Sequence, residues 1–348
     1  MKLKVGVLFG GKSGEHDVSL MSASNVIEVM DINKYDVVKI GITKLGKWMI
    51  YMGDTHSIKD GSWETDENNL IKEFSLFDHP MIASIDVFFP VLHGPNGEDG
   101  TVQGLLKIMG KPFVGCGVLA SAVGMDKVYS KILFENVGIP IGDYMPLNIK
   151  DWNSKRDEMI VKIEEKLVYP FFVKPANMGS SVGISKVHNR DEMLIGLHEA
   201  FTYDSKLILE KAIDCREVEC AVLGNQEPKA SVLGEIIPSQ EFYDYQAKYA
   251  DGNKSALIIP AKLDDVTTEK IRDYAVKAFM SINGRGLSRV DFFVEKGTEK
   301  IFINEINTLP GFTNISMYPK LWEATGIPYE ELIEQIIELA IEEHEGNN

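Results

Sequence analysis

Short aliphatic and β-branched runs alternate with helical spacing along the first part of the chain. Leu3 to Phe9, Val37 to Ile42 and Val87 to Leu92 are apolar stretches of strand length, and Val18 to Met30 carries the three-to-four-residue apolar spacing of a helix. Such alternation predicts a parallel α/β layer. From Gly53 to Pro80 the pattern turns polar, with turn signals at Asp60-Gly61-Ser62 and Asp66-Glu67-Asn68-Asn69, and reads as a peripheral insertion. A helix predicted over Asp126 to Asn136 stops at Gly138 and Pro140, where a first domain hands over to a second.

Beyond that point the spacing predicts a helix (Lys155 to Lys166), a strand (Phe171 to Lys174), a glycine-rich turn, another helix and a strand ending at Glu210. Strands follow at Glu217 to Leu223 and Ala230 to Ile237. Tyr243, Tyr245 and Tyr249 cluster where no period holds, which reads as a long loop of the kind that covers sites. After a helix from Thr267 to Ser281, strands Ser288 to Val294 and Ile301 to Ile306 flank a polar Lys-Gly-Thr-Glu-Lys turn and form a predicted hairpin. Tyr329, Leu332, Ile333, Ile336, Ile337 and Ala340 repeat at helical spacing behind Pro328, a good first-turn residue.

Charge narrows the function classes. The 348 residues include 36 Lys plus Arg against 52 Asp plus Glu, a net charge of −16. That argues against nucleic-acid or anionic-membrane binding, which needs a basic face. The length suits two or three domains, and 44% hydrophobic residues supply ample core. No apolar run approaches the roughly 18 residues of a membrane span. Cys116, Cys215 and Cys220 lack C-x-x-C spacing and read as small buried hydrophobes; with no signal-peptide pattern, a cytoplasmic protein is expected.

Gly6 to Ser13 (GVLFGGKS) matches the P-loop expression, so Lys12 is a first candidate for phosphate contact. However, Val7, Leu8 and Phe9 complete an apolar strand and leave only Gly10 to Gly14 for the turn. A shorter glycine turn presenting amides to a small anion is the competing reading, with Glu15 at its mouth. His93 and the Glu98-Asp99-Gly100 turn follow a strand's carboxyl end, where open α/β sheets bind ligands. A strand delivers Lys174 directly before Asn177 to Gly183, a small-residue loop able to close over phosphates with Ser180 and Ser181 as added donors. Near the tail, Arg289 and Asp291 share one strand face, as do Glu305 and Asn307. If those strands pair, Asp291, Glu305 and Asn307 gather hard oxygen donors suited to Mg²⁺.

Together these motifs resemble the D-alanine–D-alanine ligases of the ATP-grasp superfamily. The likeness is carried in order by Gly10 to His16, His93 to Thr101, Gly115 to Lys127, Lys174 to Gly183, Glu210-Lys211, Phe242 to Tyr249, Arg289 to Asp291 and Glu305 to Gly311. It implies an N-terminal parallel-sheet α/β domain over 1–120, then a two-lobed α+β ATP-grasp fold with a central domain over 121–212 and a C-terminal domain over 213–348. The resemblance implies that Lys127, Lys174, Ser181 and Lys248 meet ATP phosphates. Glu210, Lys211, Ile213 and Phe242 would then hold the base and Glu217 the ribose. Asp291, Glu305 and Asn307 would ligate two Mg²⁺ ions, with Mn²⁺ as a substitute.

For the amino-acid substrates, Glu15 and His93 would receive the first D-alanine, with Glu15, Ser180 and Tyr249 linked. Ser316 and Met317 would meet the second, and Arg289 and Gly311 the oxyanion. The implied reaction phosphorylates one D-alanine with ATP and lets the second displace phosphate, for peptidoglycan precursor synthesis. A closing lid over Tyr243 to Tyr249 would keep the acyl phosphate dry. Homodimer formation is implied by resemblance alone. Asp214-Cys215-Arg216, Gln246 and Met317 depart from the common pattern. The alternatives are a depsipeptide ligase using D-lactate, against which Tyr249 argues, a P-loop kinase or switch using Lys12, and a non-catalytic nucleotide-binding protein.

Overall fold

A computed structural model describes residues 2–237 and 256–346. Strand β1 (Leu3–Gly10) lies between β2 (Tyr35–Ile42) and β5 (Val87–Val91), and both pairings are parallel. β3 (Trp48–Tyr51) and β4 (Leu70–Ile71) extend this sheet antiparallel, giving the order β4-β3-β2-β1-β5. The sheet is therefore parallel at its centre and antiparallel at one edge, an edge too short to leave a period in the sequence. The segment read as a peripheral insertion is partly core: Ile58 and Trp63 are fully buried. The Trp63 ring lies 5.0 Å from Phe9, edge-on, and a Cβ on Gly41 would come within 2.3 Å of it. Single anchors spaced by polar turns carry no hydrophobic periodicity, so the pattern could not reveal them.

The second sheet contains β6 (Tyr144–Asn148), β7 (Phe171–Pro175), β8 (Ser185–Val187) and β9 (Lys206–Lys211) in the order β6-β9-β7-β8, antiparallel throughout. Phe171 and Val173 face Ile163, Met193 and Leu197 of the covering helices, while Phe172 and Lys174 turn the other way. That alternation places a lysine on the open face of the sheet.

The third sheet, β12-β11-β10-β13-β14, is also antiparallel and is built from β10 (Cys215–Leu223), β11 (Lys229–Ile237), β12 (Ala256–Ile258), β13 (Leu287–Glu295) and β14 (Ile301–Asn307). Val218, Cys220, Val290 and Phe292 pack on Ile271, Ala275 and Phe279 of the helix Asp265–Ser281. Each large apolar side chain so buried contributes roughly 1.5–3 kcal/mol. Asp264 caps that helix, its carboxylate accepting from Thr267 N at 3.0 Å. Phe134 and Ile139 join the same core from earlier in the chain. The tail helix Tyr329–Gly346 returns to the first sheet, burying Leu332, Ile333, Ile336 and Ile337 beside Val87 and Phe89.

Cys116 and Cys220 are buried as expected, but Cys215 is half-buried at the start of β10. Burial pushes all three thiols up to about 12, so none is primed as a nucleophile near neutral pH. Among the described residues no helix is long and apolar enough to cross a membrane. Phe242, Lys248, Tyr249 and the rest of the tyrosine-bearing segment lie outside the described residues.

Candidate functional site

A cavity of about 1050 Å³ opens between the second and third sheets, and loops from the first sheet close one end. Its walls include every described residue to which the family resemblance gives a ligand contact, from Glu15 and His93 to Gly311 and Ser316. Lys12 is absent from it. That residue lines a separate cavity of about 300 Å³ with Trp48, Leu92 and Leu105. Gly10 ends β1 and Gly11 turns at φ 102°, so the glycines form the short turn and not a P-loop.

Lysines and one glutamate organise the wall provided by the second sheet. β7 and β9 pair Phe172 with Glu210 and Lys174 with Ile208, putting Lys174 diagonally across from Glu210. Lys174 Nζ lies 2.5 Å from one carboxylate oxygen of Glu210, and Lys131 Nζ lies 2.7 Å from the other. Burial alone would raise the Glu210 carboxyl, but the two ammonium charges outweigh it and hold the group well below the usual carboxylate range. Burial would lower Lys174 in turn, and Glu210 overcomes that and raises it.

Lys127 opens the helix Lys127–Asn136, capped by Asp126, whose carboxylate accepts from Val128 N at 3.1 Å and pairs with Lys206. Lys127 donates to Met178 O at 2.7 Å and stands 3.7 Å from Glu305. Lys131 escaped the sequence reading. Its signal was the i,i+4 spacing from Lys127, which puts both on one helix face. Further along the rim, Lys211 is exposed 4.0 Å from Asp143, Ile213 approaches Gly142, and Glu217 lies near the start of β10.

Strands β13 and β14 pair as the hairpin reading requires, with Asp291 opposite Glu305 and Arg289 opposite Asn307. Arg289 forks onto Asp291 through two hydrogen bonds of 2.7 Å and lies 3.0 Å from Glu219. These carboxylates more than offset burial and raise the guanidinium well above its ordinary value. Among the described residues no three His, Cys, Asp or Glu side chains form a metal-holding group. The hairpin instead offers two carboxylates and the Asn307 amide, whose oxygen accepts from Leu309 N at 2.9 Å. Such an incomplete set of hard oxygens fits Mg²⁺, which fills its octahedron with water and phosphate.

The end of the cavity nearest the first sheet is assembled from three loops. Ser180 donates to Glu15, tying the first glycine turn to the Asn177 to Gly183 loop. Ser180 and Ser181 both have left-handed φ, 47° and 61°, a conformation L-residues adopt at a cost of about 1–2 kcal/mol each. Gly94, at φ 72°, leaves room for Glu15, whose Oε2 would lie 2.6 Å from a Cβ there. His93 is buried; its Nε2 meets Ser22 Oγ at 3.2 Å and its Nδ1 stands 3.5 Å from Glu98. Burial would lower its pKa, but Glu98 outweighs burial and the imidazole is raised above its ordinary value.

Opposite, Ser316 precedes the helix Met317–Thr325, its Oγ accepting from Thr313 N at 3.0 Å. A Cβ on Gly311 would come within 2.9 Å of that oxygen. Met317 is largely buried against Gly234 and presents only a fringe to the cavity. Tyr249, expected beside Ser180, lies outside the described residues.

Two family models match in succession: the D-ala D-ala ligase N-terminus over residues 4–116 and the D-ala D-ala ligase C-terminus over 133–338. The D-alanine–D-alanine ligase of Acetivibrio thermocellus is 51% identical, with 99% of this chain and 98% of that protein aligned. That of Clostridium novyi is 52% identical, covering 98% and 99%. Among solved structures, the VanG D-Ala:D-Ser ligase from Enterococcus faecalis superposes with a TM-score of 0.89 at 36% identity, covering 98% of this chain and all of that one. The D-alanine-D-alanine ligase from Coxiella burnetii gives 0.86 at 36% identity, covering 99% and 96%.

Proposed function

Because the chain belongs to the D-alanine–D-alanine ligase family, an ATP-dependent ligase family, we propose that it joins two D-alanine molecules to D-alanyl-D-alanine for peptidoglycan precursor synthesis. One observation carries this reading: side chains from all three sheets and their loops, including two lysines, a carboxylate pair and the Glu15–Ser180 link, converge on a single cavity. A carboxylate does not acylate an amine unaided. Transfer of the ATP γ-phosphoryl group to the first D-alanine makes an acyl phosphate, and the amine of the second displaces phosphate.

The chain's residues divide this work. Lys127, Lys174 and Ser181 bind phosphates, while Glu210, Lys211 and Ile213 border the base and Glu217 the ribose. Glu15 and His93 receive the first D-alanine's ammonium and carboxylate end, and Ser180 fixes Glu15. Ser316, beside Met317, orients the second substrate's carboxylate. Arg289 and the Gly311 amide stabilise the oxyanion of the tetrahedral intermediate. Asp291, Glu305 and Asn307 would hold two Mg²⁺ ions, or Mn²⁺, whose charge offsets repulsion between phosphate and carboxylate. Phe242, Lys248 and Tyr249, outside the described residues, would complete the base, phosphate and Ser180 contacts in this reading.

The same reading divides the chain into an α/β domain over 1–120 and ATP-grasp lobes over 121–212 and 213–348. The succession of the three sheets supports it. It also places the protein in the cytoplasm as a homodimer, which sedimentation would check. The deciding experiment incubates the protein with ATP, Mg²⁺ and D-alanine and detects product by mass. Dipeptide should form with D-alanine, not with L-alanine, and phosphate release should follow the same preference. Equal release with both enantiomers, or comparable depsipeptide in a D-alanine and D-lactate mixture, would overturn the assignment.

A further inference from the structure

Lys131 is a buried cation to which the ligation scheme gives no task. Its side chain is 4% exposed, and its ammonium lies 2.7 Å from Glu210 Oε1 and donates to the Asn304 carbonyl at 3.1 Å. Glu210 belongs to β9 of the second sheet and Asn304 to β14 of the third, so this one ammonium spans the seam along which the cavity opens. The other Glu210 oxygen holds Lys174 at 2.5 Å.

The arrangement creates a problem for phosphate binding that Lys131 solves. In the absence of nucleotide, Lys174 is occupied by a carboxylate. To turn toward phosphate it must loosen that contact, and a buried carboxylate deprived of its counter-ion is strongly unfavourable. Glu210 has a second counter-ion, fixed from behind by a main-chain carbonyl that cannot titrate or leave. We propose that Lys131 is a positioning residue: by neutralising Glu210 permanently, it leaves Lys174 free to exchange the carboxylate for the phosphates of ATP. This rests on the assignment of the cavity to ATP. It differs from a purely structural ion pair because Lys131 would act on nucleotide only through Glu210.

The test is a double-mutant cycle on the full-length chain, with ATP–Mg²⁺ binding read by calorimetry and adenosine binding by ligand-observed NMR. Lys131→Met keeps the length of the side chain and removes its charge. It should weaken ATP on the order of tenfold to a hundredfold, the consequence of breaking a buried charge cluster, and change adenosine, which has no phosphate for Lys174, by less than threefold. In the Glu210→Gln background, where no carboxylate retains Lys174, adding Lys131→Met should change ATP affinity by less than threefold.

Equal weakening of ATP and adenosine would mean that Lys131 merely shapes the cavity. A repeat of the full ATP loss in the Glu210→Gln background would mean that it acts on phosphate directly. Either result overturns the proposal. If Lys131→Met alone does not fold, the comparison of Glu210→Gln with the double variant still decides between them. Failure of the wild-type chain to bind ATP would instead count against the ATP assignment.

Discussion

Arg289 holds two partly buried carboxylates and, in the ligation scheme, also faces the oxyanion, so its loss should be felt twice. Its side chain is 18% exposed; those of Glu219 and Asp291 are 9% and 13% exposed. At contact distances of 2.7 and 3.0 Å, each attraction is about 6 kcal/mol for an effective dielectric near 20, most of it cancelled by desolvation. Removing the arginine takes the shared counter-ion out of a buried charge cluster, at a cost of about 3–5 kcal/mol. Arg289→Met should therefore lower Tm by several degrees. It should also cut kcat by about 10²–10³, the usual effect of deleting one oxyanion donor. Arg289→Lys restores a charge without the two-pronged fork, so it should recover much of the Tm and little of the rate. Thermal unfolding and D-alanine-dependent phosphate release read the two effects separately. A methionine variant with unchanged Tm would refute the ion cluster, and one with normal kcat would refute the oxyanion role.

Other consequences follow from the same geometry. His93 has a raised folded pKa, so its stabilising contribution is complete below the ordinary value of 6.5 and is lost as pH climbs through the raised one. His93→Gln should lower Tm more at pH 6 than at pH 9, and an equal loss at both would refute the coupling to Glu98. Ser180→Ala should raise KM for D-alanine roughly tenfold by removing the serine's hydrogen bond to Glu15, with Tm nearly unchanged; steady-state kinetics checks this. Gly311→Ala places a methyl 2.9 Å from Ser316 Oγ and should reduce kcat at least tenfold with only a small change in Tm. Lys12→Ala should leave ATP affinity intact while Lys174→Met abolishes most of it, since only Lys174 lines the large cavity.

The sequence revealed most where chemistry and periodicity coincide. Asp291, Glu305 and Asn307 could be read as a group because strand alternation fixes which side chains share a face, and the hairpin turn at Lys296 to Lys300 fixes which strands meet. The turn does not fix the register by itself: counted from it, Asp291 would stand opposite Asn304, and an irregularity between Asp291 and Phe292 shifts the pairing by one residue so that Glu305 faces Asp291. Lys131 stayed hidden because its role depends on two partners, Glu210 and Asn304, far away in sequence and brought near only by the packing of two sheets. Trp63 stayed hidden for a related reason: its cavity is made by Gly41 and Phe9, and a single tryptophan among polar residues has no spacing to read. Glu15 was recognisable by its place at the mouth of the glycine turn. Its engagement by Ser180, with that serine in a left-handed conformation, was not recoverable from local propensity.

Electrostatics gives the cavity a further property. Lys127, Lys131, Lys174 and Arg289 face Glu305, Glu210, Asp291 and Glu219, so its central charges balance in a chain whose net charge is −16. A triphosphate entering such a site meets as much repulsion as attraction unless positive charge arrives with it. The carboxylates nearest the hairpin, Asp291 and Glu305, are the ones that hold Arg289 and Lys127. Metal binding there would balance the polyanion and release two cations toward the substrates. ATP affinity at constant ionic strength should then fall by about a hundredfold or more in EDTA, while adenosine affinity should hold. Asp291→Asn removes an opposing charge and a metal ligand together, so its effect should change sign. It should bind ATP more tightly than wild type in EDTA and turn over far more slowly with Mg²⁺. Calorimetry at both conditions decides the matter: an Asp291→Asn variant that binds ATP more weakly than wild type without metal would show that Asp291 does not oppose the nucleotide, and the balance argued here would be wrong.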